Sequence, residues 1–399
     1  MTEGVRSQLP SSSSVDRRLI FAIFALIPIA TIGATAGTLR LGGWIWFIIL
    51  IAGGATLMLG PLPRPALVFL IPYAAYLVYG LVSLLWASRI RWGLQSLAQL
   101  STFAVSYLLA FRVFRRGHAT LPELHRLGLY VLPAIFVVAA IKLALDPQIR
   151  VFWSLGPNDR FVAIALVAVF VVGTAVSPRR VVLLAGAACL GLIAISGGRM
   201  AFAALALVIV LSPGLGMKRS ARLALFGVGA LLVLLAIPTQ AFQDRFFFAA
   251  GGDVSTLAEG SFNTAGRSDN WPAVVADCGR VALRGYGSGG SADVMDRITA
   301  GNTIHPHNDY LRTYCEAGLP MAVTFWLFFV GVGYRAWRLK RARIQSTAPS
   351  TALLLLLGLF MLSITDNIII YTAIYMAPAA VIFAASDVEY LRAISPVHR

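Results

Sequence analysis

Residues 41–60 read LGGWIWFIILIAGGATLMLG, a run without one charged side chain. As a helix it would rise about 30 Å, the thickness of a bilayer's hydrocarbon core. Runs of the same kind recur at 19–38, 65–87, 93–111, 127–145, 161–177, 181–195, 200–215, 223–238 and 320–333. The last apolar stretch, 352–385, is too long for one crossing and carries Asp366 and Asn367 near its middle. We therefore divide it into two helices that turn at those residues. The expected fold is an all-α integral membrane protein of about twelve transmembrane helices, because a backbone in lipid must satisfy its own hydrogen bonds.

Composition agrees with this reading. Of the 399 residues, 58% are hydrophobic and 13% charged, with a mean hydropathy of +0.78. The net charge of +16 does not mark a nucleic-acid binder, since the basic residues form short clusters between apolar runs and not one face. Alternating the spans collects Arg6/Arg17/Arg18, Arg112/Arg115/Arg116, Arg179/Arg180, Lys218/Arg219/Arg222 and the run Arg335 to Arg343 on one side. In all, about 20 of the 33 basic residues fall on that side, and the positive-inside rule makes the side cytoplasmic. Both termini are then cytoplasmic and the long segment 239–319 is periplasmic. Residues 1–238 form spans one to nine and 320–399 form spans ten to twelve. Ala34-Thr35-Ala36 after a basic lead brings a cleaved signal peptide into consideration. The apolar core is longer than a signal peptide needs, and cleavage would unbalance the charge pattern, so we read it as the first span.

The long loop holds nine of the seventeen acidic residues beside six arginines, and no lysine. Most of those arginines are expected to pair with carboxylates on a folded surface, although a guanidinium fork also suits a diphosphate. Ser268 or Asp269 can cap a helix over 270–281, with Pro272 tolerated in its first turn. Val274, Val275, Cys278 and Val281 would form its apolar stripe. The run Gly285-Tyr286-Gly287-Ser288-Gly289-Gly290 is too rich in glycine for helix or strand, and reads either as backbone that approaches a ligand, as a lid, or as a linker. Of the three cysteines, Cys278 and Cys315 share the loop, which leaves a disulfide open to them. No cysteine spacing suits a metal site.

The loop closes on His305-Pro306-His307-Asn308-Asp309-Tyr310-Leu311. The other three of the five histidines, His118, His125 and His398, lie in basic contexts. A second loop helix is expected from Pro306 to Gly318, placing His307 and Asn308 in its first turn, where free amide groups attract anions. Histidine transfers protons near neutral pH, but the pair could equally cap the helix. Arg199, after Ser196-Gly197-Gly198, and Lys142 and Asp366 are charges inside or beside spans. Such residues are functional candidates by default, with snorkelling or pairing as the alternative for the last two.

Three elements in order resemble the superfamily of O-antigen ligases, O-antigen polymerases and bacterial protein O-oligosaccharyltransferases. They are Ser196-Gly197-Gly198-Arg199-Met200; then Gly266-Arg267 with Trp271 and the 285–290 glycine run; then His307-Asn308 with Leu311, Glu316 and Gly318. The resemblance implies a GT-C-like glycosyltransferase in the bacterial inner membrane, inverting and metal-independent, working in lipopolysaccharide biosynthesis without a cofactor. The donor would be a glycan on undecaprenyl diphosphate, with His307 as base and Arg267 and Arg199 clamping the diphosphate. Asn308, His305, Arg284 and Trp271 are further substrate-binding candidates. A compact chain with one dominant outer loop points within the superfamily to a ligase acting on lipid A–core, with a polymerase as runner-up. A lipid-linked sugar flippase is the alternative from another class; two histidines are too few for a complete metal-binding site.

Overall fold

In the computed structural model, residues 12–32, 35–36, 39–145, 160–196, 198–216, 218, 220–222, 224, 227, 267–301, 304–344 and 346–395 are described. The first apolar run forms α1 (Ser12–Ala25) and the short α2 (Ile27–Ala30), with Pro28 at the start of the latter. A two-residue antiparallel pair follows, Thr35–Ala36 with Leu39–Arg40. Then come α3 (Leu41–Met58), α4 (Arg64–Ser83), α5 (Ile90–Arg115), α6 (Leu121–Leu145), α7 (Arg160–Thr174), α8 (Arg179–Ser196) and α9 (Arg199–Leu211). The loop contributes α10 (Arg267–Gly279) and α11 (Ser291–Thr299), and the chain ends with α12 (Asp309–Arg341), α13 (Ala348–Thr365) and α14 (Ala377–Ile394).

Seven of the described helices are long and apolar enough to cross a membrane, with α7 and α9 as shorter apolar helices. Apart from the two-residue pair the described residues are helices and their connections, and the chain is a multi-pass membrane protein. The ninth expected span, 223–238, falls almost wholly outside the described residues. The division of the last stretch falls where the sequence puts it: α13 ends at Thr365, and Asp366 and Asn367 occupy the break. A 3-10 turn (Ile368–Ile370) and a π-helical turn (Thr372–Met376) then lead into α14.

Packing follows the distribution of apolar side chains. Every residue of α7 from Val162 to Thr174 is buried, as expected of a helix that is hydrophobic all round and lies at a bundle's centre. Its close neighbour is α6, where a Cβ on Gly128 would stand 2.8 Å from Gly173 Cα. Small residues let backbones approach in this way, and in lipid such contact carries much of the association. By contrast α3 and α4 keep Ile48, Ile51, Val68 and Ile71 exposed, the pattern of helices facing acyl chains. Tyr73, Phe103, Phe325, Phe328 and Phe329 interlock between α4, α5 and α12, with Tyr73 and Phe103 centroids 4.8 Å apart. The Tyr73 hydroxyl donates to Leu100 O at 3.0 Å, so even this aromatic core leaves its polar atom paired.

The element that shapes the site is α12. Gly318 breaks it with φ 73° and ψ 169°, a conformation that suits glycine. The two arms fold back on each other: Tyr310 and Trp326, equally far from Gly318 along the chain, stack at 4.4 Å. As expected, Gly318 ends one helix before a span, and it is also the corner of a helical hairpin. The first arm, about 13 Å long, dips back along the second. Its last carbonyls are capped from the glycine run, since Tyr286 N–H donates to Cys315 O and Gly287 N–H to Glu316 O, at 2.8 and 3.0 Å.

The glycine run is therefore neither lid nor linker in this structure. At Gly287, with φ 88°, a Cβ would stand 2.6 Å from Ser83 O. The adjacent Ser288 N–H donates to Ser83 Oγ, and Ser288 Oγ donates to Gly80 O. This wedges the run onto the end of α4. Arg89, just before α5, adds ion pairs to Asp293 and Asp296 of α11.

Candidate functional site

The first arm of α12 carries His307 down with it. Asn308, not Pro306, starts the helix: its side-chain Oδ1 accepts from Leu311 N–H at 2.9 Å, an N-cap that satisfies one otherwise free amide. His307 thus precedes the first turn instead of sitting in it. It adopts φ 48°, a left-handed conformation that is uncommon outside glycine and clusters at functional sites. Trp271 of α10 donates from Nε1 to Pro306 O at 2.8 Å. It latches the histidine segment in place. The disulfide Cys278–Cys315 links the same two helices, inside a small core with Val274, Val294 and Met295. Val274 and Cys278 of the expected stripe are buried there, while Val275 points outward.

Three groups converge on Nδ1 of His307. Arg160 Nη1, from the first residue of α7, lies at 3.4 Å. Asn367 Nδ2 lies at 3.3 Å, and Asp366 Oδ1 at 3.6 Å. Arg160 Nη1 is also 3.7 Å from Asp366 Oδ1. Asp366 is held in turn by Tyr371, whose hydroxyl donates to Oδ1 at 2.9 Å, and by Asn367 N–H at 2.9 Å. Burial on its own would raise the Asp366 pKa; contact with His307, the Arg160 charge and the Asn367 N–H outweigh that and lower it. The carboxyl stays ionised. A guanidinium can only donate, so Arg160 competes with Asp366 over Nδ1. Asn367 Oδ1 is buried with no hydrogen-bond partner among the described residues. A half-turn of its amide would offer that oxygen to an Nδ1 proton.

This cluster sits where two helices are interrupted, at the start of the α12 arm and at the α13–α14 break. Asp309, fully buried, joins them: its Oδ2 accepts from Ser363 Oγ at 3.0 Å and from Ile369 N–H at 3.1 Å. Non-helical backbone at membrane depth survives only where protein or a water-filled cavity receives it. Such broken helices are where membrane proteins place ligand sites.

The other candidate residues are distributed around this centre. His305 packs edge-on to Trp92 at 5.9 Å, and burial drives its pKa down to about 3. It is neutral at physiological pH. Arg199 opens α9 behind Gly198, whose Cβ would stand 3.0 Å from Ala163 Cβ; this puts Arg199 at the level of the first turn of α7, where Arg160 lies. Arg267 begins α10, but its side chain lies outside the described residues. The Arg284 side chain is exposed, and its carbonyl accepts from the Tyr79 hydroxyl at 2.5 Å. Lys142 donates to Thr31 O, which makes it one of the paired intramembrane charges.

Sequence reasoning missed Arg160 as part of the site. The available signal was a cation at the first position of an apolar run, on the side of the long loop. Asp366 was singled out as an intramembrane charge, but its pairing with His307, about a seventh of the chain away, was not.

With the geometry in place, the family model described as Wzy_C, O-Antigen ligase, matches residues 184–326. No curated protein matches the chain. Arg199, Arg267, Trp271, His307 and Asn308 fall inside the matched segment, and Arg160 and Asp366 outside it. The family is one of glycosyltransferase-like membrane enzymes, and over residues 184–326 the chain is similar to it, in agreement with the order of motifs and the helical fold.

Proposed function

We propose that this protein is an O-antigen ligase, transferring a glycan from undecaprenyl diphosphate to lipid A–core with inversion at the anomeric carbon. The observation that carries the reading is the meeting of His307, Asp366 and Arg160 at two broken helices. In this reading the Asp366 carboxylate accepts a hydrogen bond from Nδ1–H of neutral His307, which fixes the tautomer and leaves Nε2 with a lone pair for the acceptor sugar hydroxyl. As that oxygen attacks the anomeric carbon, its proton passes to Nε2. The bond from the anomeric carbon to the diphosphate oxygen breaks, and the diphosphate leaves on its lipid.

Among the described residues, Arg160 is the cation that meets His307. When donor binds, its guanidinium turns to the diphosphate, which frees Nδ1 for Asp366. Arg199, at the same level, and Arg267 complete the clamp on the leaving group. A diphosphate is already a good leaving group, so positioning, charge stabilisation and one proton acceptor suffice. No metal enters this scheme; the arginines supply the positive charge.

The Cys278–Cys315 bond supports a periplasmic position for 239–319, because disulfides persist in oxidising compartments. The basic residues at the opposite helix ends are then cytoplasmic. The choice between ligase and polymerase is tested by an acceptor swap. Purified protein with a lipid-diphosphate glycan should label lipid A–core, with or without chelator. Extension of a second lipid-linked glycan with no labelling of lipid A–core would make it a polymerase. Movement of the lipid-linked glycan across vesicles without transfer would make it a flippase.

A further inference from the structure

We propose that Asp309 is a positioning residue of the transfer site, whose carboxyl sets where Asp366 and Asn367 meet His307. This rests on the reading of His307 as the base. Ser363 and Ile369, the two donors to Asp309 Oδ2, lie on either side of Asp366–Asn367 along the chain. The clamp therefore grips both ends of the break. Asp309 is also two residues from His307, and its backbone is fixed by the α12 arm, where its carbonyl accepts from Thr313 Oγ1 at 2.9 Å. One short piece of chain thus holds the histidine and the segment that faces it.

The break needs an outside hold. Within it the chain passes from α-helix through a 3-10 turn to a π-helical turn, and short irregular pieces of this kind carry few ladder bonds of their own. Arg312, one turn along the arm, hydrogen-bonds to Glu316 Oε1 at 3.1 Å and Ser96 Oγ at 3.0 Å and acts on the buried carboxyl through its charge, so it does not fix where the carboxyl sits. Asp309 Oδ1 is buried without a hydrogen-bond partner among the described residues. Both clamp bonds end on the other oxygen. An amide carbonyl could accept both as well, so position and charge are separable by substitution.

The test uses the full chain in nanodiscs with two readouts. In the transfer assay, Asp309→Ala should lower kcat about a hundredfold, the cost of roughly 1 Å of misplacement, with donor KM unchanged. Asp309→Asn should stay within about threefold of wild type, as a retained hydrogen bond requires. In the nitrogen-15 spectrum of labelled histidines, the signal lost in His307→Gln identifies His307. It should move toward that of a free imidazole in Asp309→Ala and stay in Asp309→Asn. Wild-type kcat and an unmoved His307 signal in Asp309→Ala would overturn the proposal. Equal losses in the Asn and Ala variants would also overturn it, since charge and not position would then matter. If Asp309→Ala does not fold, Ser363→Ala removes one of the two bonds and should shift the signal the same way with about a tenfold loss of kcat; no change would count against the clamp. Movement of the His307 signal in Asp309→Ala as stated, together with a wild-type protein that transfers no glycan, would keep the clamp and refute the transferase reading.

Discussion

Two ionic clusters occupy opposite ends of this bundle, and they are built differently. At the basic end Arg335 grips Asp387 with two bonds of 2.6 and 2.7 Å, and Tyr107 donates to the same carboxylate at 2.5 Å. The guanidinium lies 4.2 Å above the Phe69 ring, and Asp387 is fully buried. At the other end His307, Asp366 and Arg160 stand 3.4–3.7 Å apart. The Arg160 and His307 side chains there are 39% and 25% exposed. In the first cluster the carboxylate's bonds are directed and short, so its work is structural. The second holds a proton acceptor, a carboxylate and a cation in reach of one another without closing them into a finished network. An incomplete network leaves capacity for a substrate.

Substitutions should separate the two ends. His307→Gln should cut transfer by about 10²–10⁴-fold, the contribution of a positioned general base, while the melting temperature of the purified protein stays near wild type. Arg335→Ala should do the reverse: leaving Asp387 buried and unpaired costs about 3–5 kcal/mol. A lowered melting temperature, with normal turnover in the folded fraction, would show it. If Arg335→Ala melted like wild type, the contrast between the ends would fail. Asp366→Asn keeps the shape but removes the charge that orients Nδ1–H and stabilises the imidazolium, and a loss of about ten- to a hundredfold in kcat at constant donor KM is expected, as for other groups that orient a functional imidazole.

The smallest effect concerns His305. Its pKa is about 3 in the folded protein against an ordinary 6.5. The unfolded chain therefore binds a proton as pH falls below 6.5 while the folded chain does not, and stability declines over that window. Replacing His305 with Phe should make the decline between pH 7 and 5 shallower in thermal melts. The acid limb of the transfer rate should be unaltered, since His305 stays neutral throughout. A shift of that limb in the variant would bring His305 back as a participant in catalysis.

The parts of this arrangement differ in how far the sequence reveals them. The apolar runs are legible because bilayer thickness is a local demand, met by composition over one helix length. The break at Asp366–Asn367 is legible for the same reason, as two polar residues interrupting such a run. His307 is legible as a candidate because few side chains transfer protons near neutral pH. The alliances are not. Arg160 reaches His307 across two-fifths of the chain, and only the packing of α7 against the last helices brings them together. The hairpin at Gly318 was hidden because helix continuity on both sides of the glycine looks like a cap followed by a new span. Its consequence, a histidine carried below the rim of the bundle, depends on Tyr310 meeting Trp326, a contact between residues whose separate roles give no sign of it. Trp271 and Asn308 read as ligand contacts, and in the structure one latches the Pro306 carbonyl and the other caps α12, both common tasks for these side chains.

The most direct test of the central claim is transfer of glycan from its lipid diphosphate to lipid A–core by wild-type protein and by His307→Gln, at equal folded concentration and with donor binding measured separately. The account predicts labelled lipid A–core from wild type, none above background from the variant, and similar donor affinity in both. Transfer by the variant at the wild-type rate would contradict it.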